Sequence, residues 1–491
     1  MRERERHVEW GPERAVDKVG GREREPDEVA DGDLELSPEL MRAMGYATVD
    51  RLVDRITGLD GQPAWRGATR EEMRRTLAEP PSPPGDLEAL LDYVVTRVMP
   101  YTGSTDHPRF FAFVPSCPTW PGILGDLLAA GYNVFQGTWI ESAGPSSIEL
   151  EVLDWFRDWI GYPPDSAGLL TSGGSAANLT ALATARMARL GEDWQHAVLY
   201  LSGETHSSVE RAARILGFRR DRIRTLPVDD EFRLPAPALA GAIAADRAAG
   251  LRPFLVVANG GATSTGAVDP LTDLADVAAG EGLWLHVDAA YGGFAVLTAT
   301  GRTALRGLDR ADSVTLDPHK WLFQPFEVGC LLVRDGRELV DSFRIMPDYL
   351  QDTAVAAGAR PDDREVNFAD RGPQLTRSFR ALKIWLTVRY YGLDRIREAI
   401  ERGIRLAARA ELRIRESGTL ELLAPARLGV VCFRGPGGEA ANETRIRRLL
   451  ESGTGMVSST RVRGEYALRL CVLNHRSTWS DVEAVIRALE T

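Results

Sequence analysis

Four short stretches of the chain carry side chains whose types and spacing suit chemistry. In HVDAAYGG, Asp288 ends the apolar run WLHV. A carboxylate left unpaired in such a setting costs several kcal/mol, so it needs a fixed partner, and a protonated ring nitrogen would serve. In DPHKWL, His319 and Lys320 follow another apolar run and a proline turn. An amine held there out of water is able to form an imine. In GETHSSVERAA, His206 lies just past a third apolar run; it is either a satisfied turn residue or a planar ring that stacks on an aromatic cofactor. In TSGGSAANLTAL, from Thr171 to Leu182, a glycine-rich turn runs into a helix. The free N–H groups of a helix start hold a phosphate as readily as they accept an ordinary cap.

A phosphate cradle, a stacking imidazole, a buried Asp and an imine-forming Lys together describe pyridoxal 5′-phosphate (PLP) better than a nicotinamide or a nucleotide. A GxGxxG turn in a first βα unit and a GKS or GKT P-loop are both absent from the sequence. No CxxC pair or His/Cys cluster proposes a metal.

The elements that must position these residues are apolar runs separated by Gly-rich turns. Strands are expected at 168–171, 197–201, 254–258, 283–287, 313–316 and 328–333, with helical patterns between them. Continuous apolar strands alternating with helices predict an α/β fold with a mostly parallel sheet covered on both faces. Each chemical motif then sits at the carboxyl end of a strand, where open α/β sheets bind ligands. Four segments are expected: a charged arm over 1–35, an N-terminal helical segment over 36–105 opened by SPEL, a large domain over 106–385 and a small α+β domain over 386–491. A long helical stretch beyond Arg377 links the last two.

The chain has 491 residues, of which 44% are hydrophobic, enough for two or three domains with a substantial core. Lys and Arg total 59 against 70 Asp and Glu, a net charge of −11 that argues against bulk nucleic-acid binding. The amino-terminal stretch MRERERHVEW has no apolar run after its charges, unlike a signal peptide or membrane anchor. Four widely spaced cysteines, Cys117, Cys330, Cys432 and Cys471, suit reduced thiols in a cytoplasmic protein.

From Leu36 to its C-terminus the chain resembles the group II PLP-dependent decarboxylases of fold type I, the family of aromatic-L-amino-acid, tyrosine, histidine and glutamate decarboxylases. The likeness is carried by HPRFFAFVP, PSSIELEVLDW, ETHSSVERA, HVDAAYGG and DPHKWL. It implies that Lys320 is the Schiff-base lysine, Asp288 the partner of the pyridine nitrogen and His206 the stacking imidazole. Ser175, Ala176 and His319 resemble phosphate-binding positions, Thr263 the threonine below the cofactor and Ala290 the small residue against its ring. Asn178 and Ser207 are lesser candidates.

The same resemblance implies decarboxylation of an amino acid to its amine and CO2, in a homodimer with shared active sites. Tyr349, in FRIMPDYLQD, matches a catalytic tyrosine on a loop that reaches the site and is the candidate proton donor to Cα, with His206 as relay. A phenylalanine there would have indicated an oxygen-dependent aldehyde synthase, the alternative activity on this scaffold; a non-catalytic binding or regulatory homologue is the third reading. Phe110, Phe113, Trp120 and Trp139 are candidates for an aromatic-accepting wall, and an aromatic amino acid is the expected substrate. Arg109 is expected to pair with a structural carboxylate.

Overall fold

The computed structural model describes residues 34–77, 86–345 and 365–491. The chain divides into two compact units, one drawing on residues up to Gly58 and on Arg75–Met99, the other on Leu59–Arg74 and Pro100–Thr491. In the first, the helix Pro38–Thr57 is capped as SPEL implies: the Ser37 hydroxyl accepts from the Leu40 N–H at 3.2 Å.

The second unit holds both sheets. Its seven-stranded sheet consists of β1 (Ala167–Thr171), β2 (Ala197–Ser202), β3 (Ile223–Leu226), β4 (Arg252–Asn259), β5 (Trp284–Asp288), β6 (Ser313–Leu316) and β7 (Gly329–Val333), in the order β1-β7-β6-β5-β4-β2-β3. The six expected strands are all present. β3 was not expected, because IRTL is a short, half-buried edge without a continuous apolar run. The sheet is parallel except for β7, which runs antiparallel to both β1 and β6. The link from β6 to β7 carries only the one-turn helix Pro318–Trp321. That is too short for the crossover a parallel return requires, so the chain doubles back.

A smaller antiparallel sheet follows, ordered β10-β11-β9-β8, from β8 (Glu421–Arg427), β9 (Val430–Arg434), β10 (Ser458–Val462) and β11 (Glu465–Cys471). Its core joins Val431, Phe433, Leu468 and Leu470 to Val482, Val485, Ile486 and Leu489 of the terminal helix Trp479–Glu490. The long helical stretch is two helices, Ala381–Tyr391 and Leu393–Arg415. They are separated at Gly392, whose φ of 74° lies in the left-handed region where a β-carbon is unfavourable. All four cysteines are free and buried. No helix among the described residues is long and apolar enough to cross a membrane, and they contain no cluster of potential metal ligands.

Candidate active site

A cavity of about 300 Å³ opens where the C-terminal ends of β4, β5 and β6 meet the start of the helix Gly174–Leu190. Ser175, Ala176, His206, Thr263, Asp288, Ala290, His319 and Lys320 all line it. The geometry follows from the sheet: parallel neighbours end side by side, so motifs more than a hundred residues apart converge on one edge.

Asp288 is the last residue of β5 and is 7% exposed. Its Oδ2 accepts from the side-chain amide of Asn178 at 2.8 Å and its Oδ1 from the Ala290 N–H at 3.2 Å. These donors offset part of the cost of burying the carboxylate and fix its plane, while leaving capacity for a cationic ring N–H. His206 caps the helix Ser207–Ile215, its Nδ1 accepting from the Ser208 N–H at 3.3 Å and lying 2.8 Å from the Ser208 hydroxyl. It is therefore a satisfied turn residue and also a wall of the cavity. Ser208, not Ser207, completes that wall.

Lys320 sits in the helix Pro318–Trp321 directly after β6. Its ammonium is not merely withdrawn from water, as the sequence suggested, but ion-paired to Asp317 at 2.9 Å. Asp317 is 2% exposed, and its second oxygen has no hydrogen-bond partner among the described residues. It also faces His319 Nε2 at 3.6 Å. His319 donates from Nδ1 to the Val328 carbonyl at 2.7 Å, and burial pushes its imidazole below the ordinary range against the pull of Asp317. Asp317 went unrecognised in the sequence because an Asp before Pro reads as turn chemistry. Its i, i+3 spacing from Lys320 was the available signal.

The glycine-rich turn closes the other side. Gly173 has a φ of 148°, and a β-carbon at Gly174 would lie 2.9 Å from Asp317 Oδ2 and 3.1 Å from Ala290 Cβ. The turn can approach only without side chains, and it leaves room at a helix N-terminus for an anion.

Two expectations end differently, and a third falls on residues that are not described. Tyr349 lies outside the described residues. Phe110, Phe113, Trp120 and Trp139 do not line the cavity: Phe110 is buried elsewhere in the core, while Phe113 is 61% exposed. Arg109 forms no ion pair among the described residues; its guanidinium donates to the Asp60 carbonyl at 3.3 Å.

The residues present fit PLP. The cavity offers an amine for the aldehyde, an acid held at fixed orientation for a ring nitrogen, and a side-chain-free turn at a helix start for the phosphate. Residues 71–435 match the family model described as the pyridoxal-dependent decarboxylase conserved domain. An aromatic-L-amino-acid decarboxylase of Bacillus atrophaeus is 39% identical over 466 residues, covering 93% of this chain and 96% of that protein. The solved structure of Oryza sativa TDC with PLP and tryptamine aligns with a TM-score of 0.87 at 30% identity, covering 92% of this chain and 98% of that one. Catharanthus roseus tryptophan decarboxylase in complex with L-tryptophan aligns with a TM-score of 0.85 at 27% identity, covering 92% and 98%.

Proposed function

The chain belongs to the pyridoxal-dependent decarboxylases, and from that premise we propose that it converts an aromatic L-amino acid into its amine and CO2. It is a PLP-dependent carboxy-lyase of fold type I. The convergence of Lys320, Asp288 and His206 on one cavity is the observation that carries the reading. The aromatic substrate is supported by the relatives, which include tryptophan and tyrosine decarboxylases at 30% to 35% identity.

PLP, when bound, supplies the electron sink for the pair left behind by departing CO2. Lys320 would hold its aldehyde carbon, Asp288 its ring nitrogen, and Ser175, Ala176 and His319 its phosphate, with Thr263 and Ala290 against the ring. Asp288, fixed by Asn178 and the Ala290 N–H, would favour a proton on that ring nitrogen and stabilise charge where it develops, favouring the transition state over the ground state. Lys320, whose ammonium Asp317 holds at the cavity, would be the amine that exchanges with the substrate's amino group. The carboxylate departs as CO2, and Cα takes one proton in its place; Tyr349 is the proposed donor, with His206 as its relay.

The buried, free cysteines support a reducing, cytoplasmic setting. Incubating PLP-loaded protein with the twenty amino acids in air and under nitrogen, with products identified by mass spectrometry, tests the activity. One aromatic amine formed equally in both atmospheres is expected. Aldehyde and peroxide formed only in air would instead assign an aldehyde synthase and deny Tyr349 its role.

A further inference from the structure

We infer that Asn178 is a positioning residue that acts on both sides of the site: its amide holds the Asp288 carboxylate and, through Ser208, supplies the hydroxyl hydrogen bond that joins the Ser208 backbone N–H in keeping the His206 Nδ1 unprotonated. The inference rests on the PLP reading for the tasks of Asp288 and His206, and on hydrogen bonds alone for the link between them.

The link is a branched chain of buried groups behind the cavity. The Trp284 indole N–H lies 2.8 Å from Ser313 Oγ, Ser313 Oγ lies 2.8 Å from His286 Nδ1, and His286 Nε2 lies 3.1 Å from Asn178 Oδ1. Thr315 Oγ1 also donates to Asn178 Oδ1, at 2.7 Å. From Asn178 the amide N–H groups go to Asp288 Oδ2 at 2.8 Å and to Ser208 Oγ at 2.9 Å, and Ser208 Oγ reaches His206 Nδ1 at 2.8 Å. Trp284, His286, Ser313 and Thr315 are fully buried, Asn178 is 1% exposed and Ser208 is 3% exposed.

The directions are set from the carboxylate end, and the Trp284 end agrees with them. An indole N–H only donates, so Ser313 Oγ accepts from Trp284 and keeps its own proton to give His286 Nδ1; the Asn178 oxygen facing Nε2 places the imidazole proton there. Burial pushes His286 down to about 4, so the ring is neutral and has that single proton to give. At the other end an ionised carboxylate only accepts, so the nitrogen of Asn178 must face Asp288 and its oxygen must face His286 and Thr315. Ser208 accepts from that amide and donates to His206 Nδ1, which also receives the Ser208 backbone N–H. A neutral His206 is thereby held with its proton on Nε2, ready to donate. One amide couples the anchor of the ring nitrogen to the proposed proton relay.

Asn178→Asp tests this, because it keeps the shape and replaces the donating nitrogen by an acceptor facing Asp288. Two adjacent carboxyls share a proton, so one of them titrates high. The other titratable groups around the pair are His286 behind it and His206, Tyr291, Asp317, His319 and Lys320 along the cavity. They are present in parent and variant alike, so the ratio of the two PLP dissociation constants, from fluorescence quenching, isolates the new pair. That ratio is expected to be at least about tenfold at pH 8 and to shrink toward pH 6.

In cofactor-free protein labelled with 15N-histidine, with His206 assigned by His206→Gln, the parent should show His206 as the Nε2–H tautomer. Asn178→Asp should shift the His206 Nδ1 resonance toward that of a nitrogen accepting one hydrogen bond fewer, since Ser208 then turns its proton to the new carboxylate and only its backbone N–H stays on Nδ1. Ser208→Ala keeps that backbone N–H and should give the same Nδ1 shift while leaving the affinity ratio flat with pH. A flat ratio near one for Asn178→Asp, or a His206 Nδ1 resonance unchanged in both variants, would overturn the inference. A parent protein that binds no PLP would instead remove the functional reading, and the Nδ1 resonance would still judge Asn178.

Discussion

Asp288 meets the cavity with one oxygen held by Asn178 and the other by the Ala290 N–H, so its orientation is settled before any cofactor arrives. Asp288→Asn keeps the volume and removes the charge. Its expected effect is a kcat lower by about 10²- to 10³-fold, with KM changed much less, because a preorganised charge acts mainly on the transition state. Steady-state kinetics on the amine product checks this; a change confined to KM would mean that Asp288 serves binding alone. At this scale the sequence was most legible where a polar residue interrupts an apolar run. Asp288, Lys320 and His206 stand out for that reason. Asp317 and Ser208 did not, because an Asp before Pro and a Ser at a helix start have ordinary local explanations, and only tertiary contacts with Lys320 and Asn178 distinguish them.

The segments around the site are tied by a buried ion pair. Arg377, 2% exposed, reaches Glu149 on the helix Trp139–Ile160 at 2.6 Å and also donates to the carbonyls of Leu170 at 2.8 Å and Gln136 at 3.2 Å, while the Leu170 N–H donates to Glu149 at 2.8 Å. One carboxylate and one guanidinium therefore clamp that helix to β1, just before the glycine turn. Arg377→Ala leaves Glu149 buried without its cation and should cost about 3–5 kcal/mol of unfolding free energy, read from urea titration. A loss below about 1 kcal/mol would show that the clamp is not a structural tie. The long strands and helices were readable from period and apolar continuity, whereas β3, β8 and β10 were not. SSTRV and LLAPAR, like IRTL, mix exposed and buried residues too evenly to show one apolar face. The antiparallel turn of β7 is a matter of connection length, invisible to composition.

Across the whole molecule, two properties follow from burial. Phe113, Tyr132 and Phe326 are 61%, 80% and 57% exposed, and the Phe326 ring lies 5.0 Å from that of His319, on the cavity wall. Exposed aromatic surface, of which Phe326 lies beside the site, supports the homodimer with shared active sites that the family resemblance implies. Sedimentation at micromolar concentration should find a species of twice 53.9 kDa, and a monomer would refute the proposal. His475, pushed down to about 4 chiefly by burial and further by Arg476 and Arg402, stays neutral in the folded chain. Unfolded, it takes up a proton below its ordinary 6.5, so its contribution to stability is present at pH 7 and lost as pH falls toward 4. The slope of unfolding free energy against pH between 5 and 6 should therefore be shallower in His475→Gln, by up to about 1.4 kcal/mol per pH unit; an unchanged slope would show that His475 is not held neutral. The central claim, that this cavity carries PLP on one lysine, is tested most directly by reducing the PLP-loaded protein with borohydride and mapping the pyridoxyl group by peptide mass spectrometry. A single label on Lys320 is predicted; a label on another lysine, or none, would contradict it.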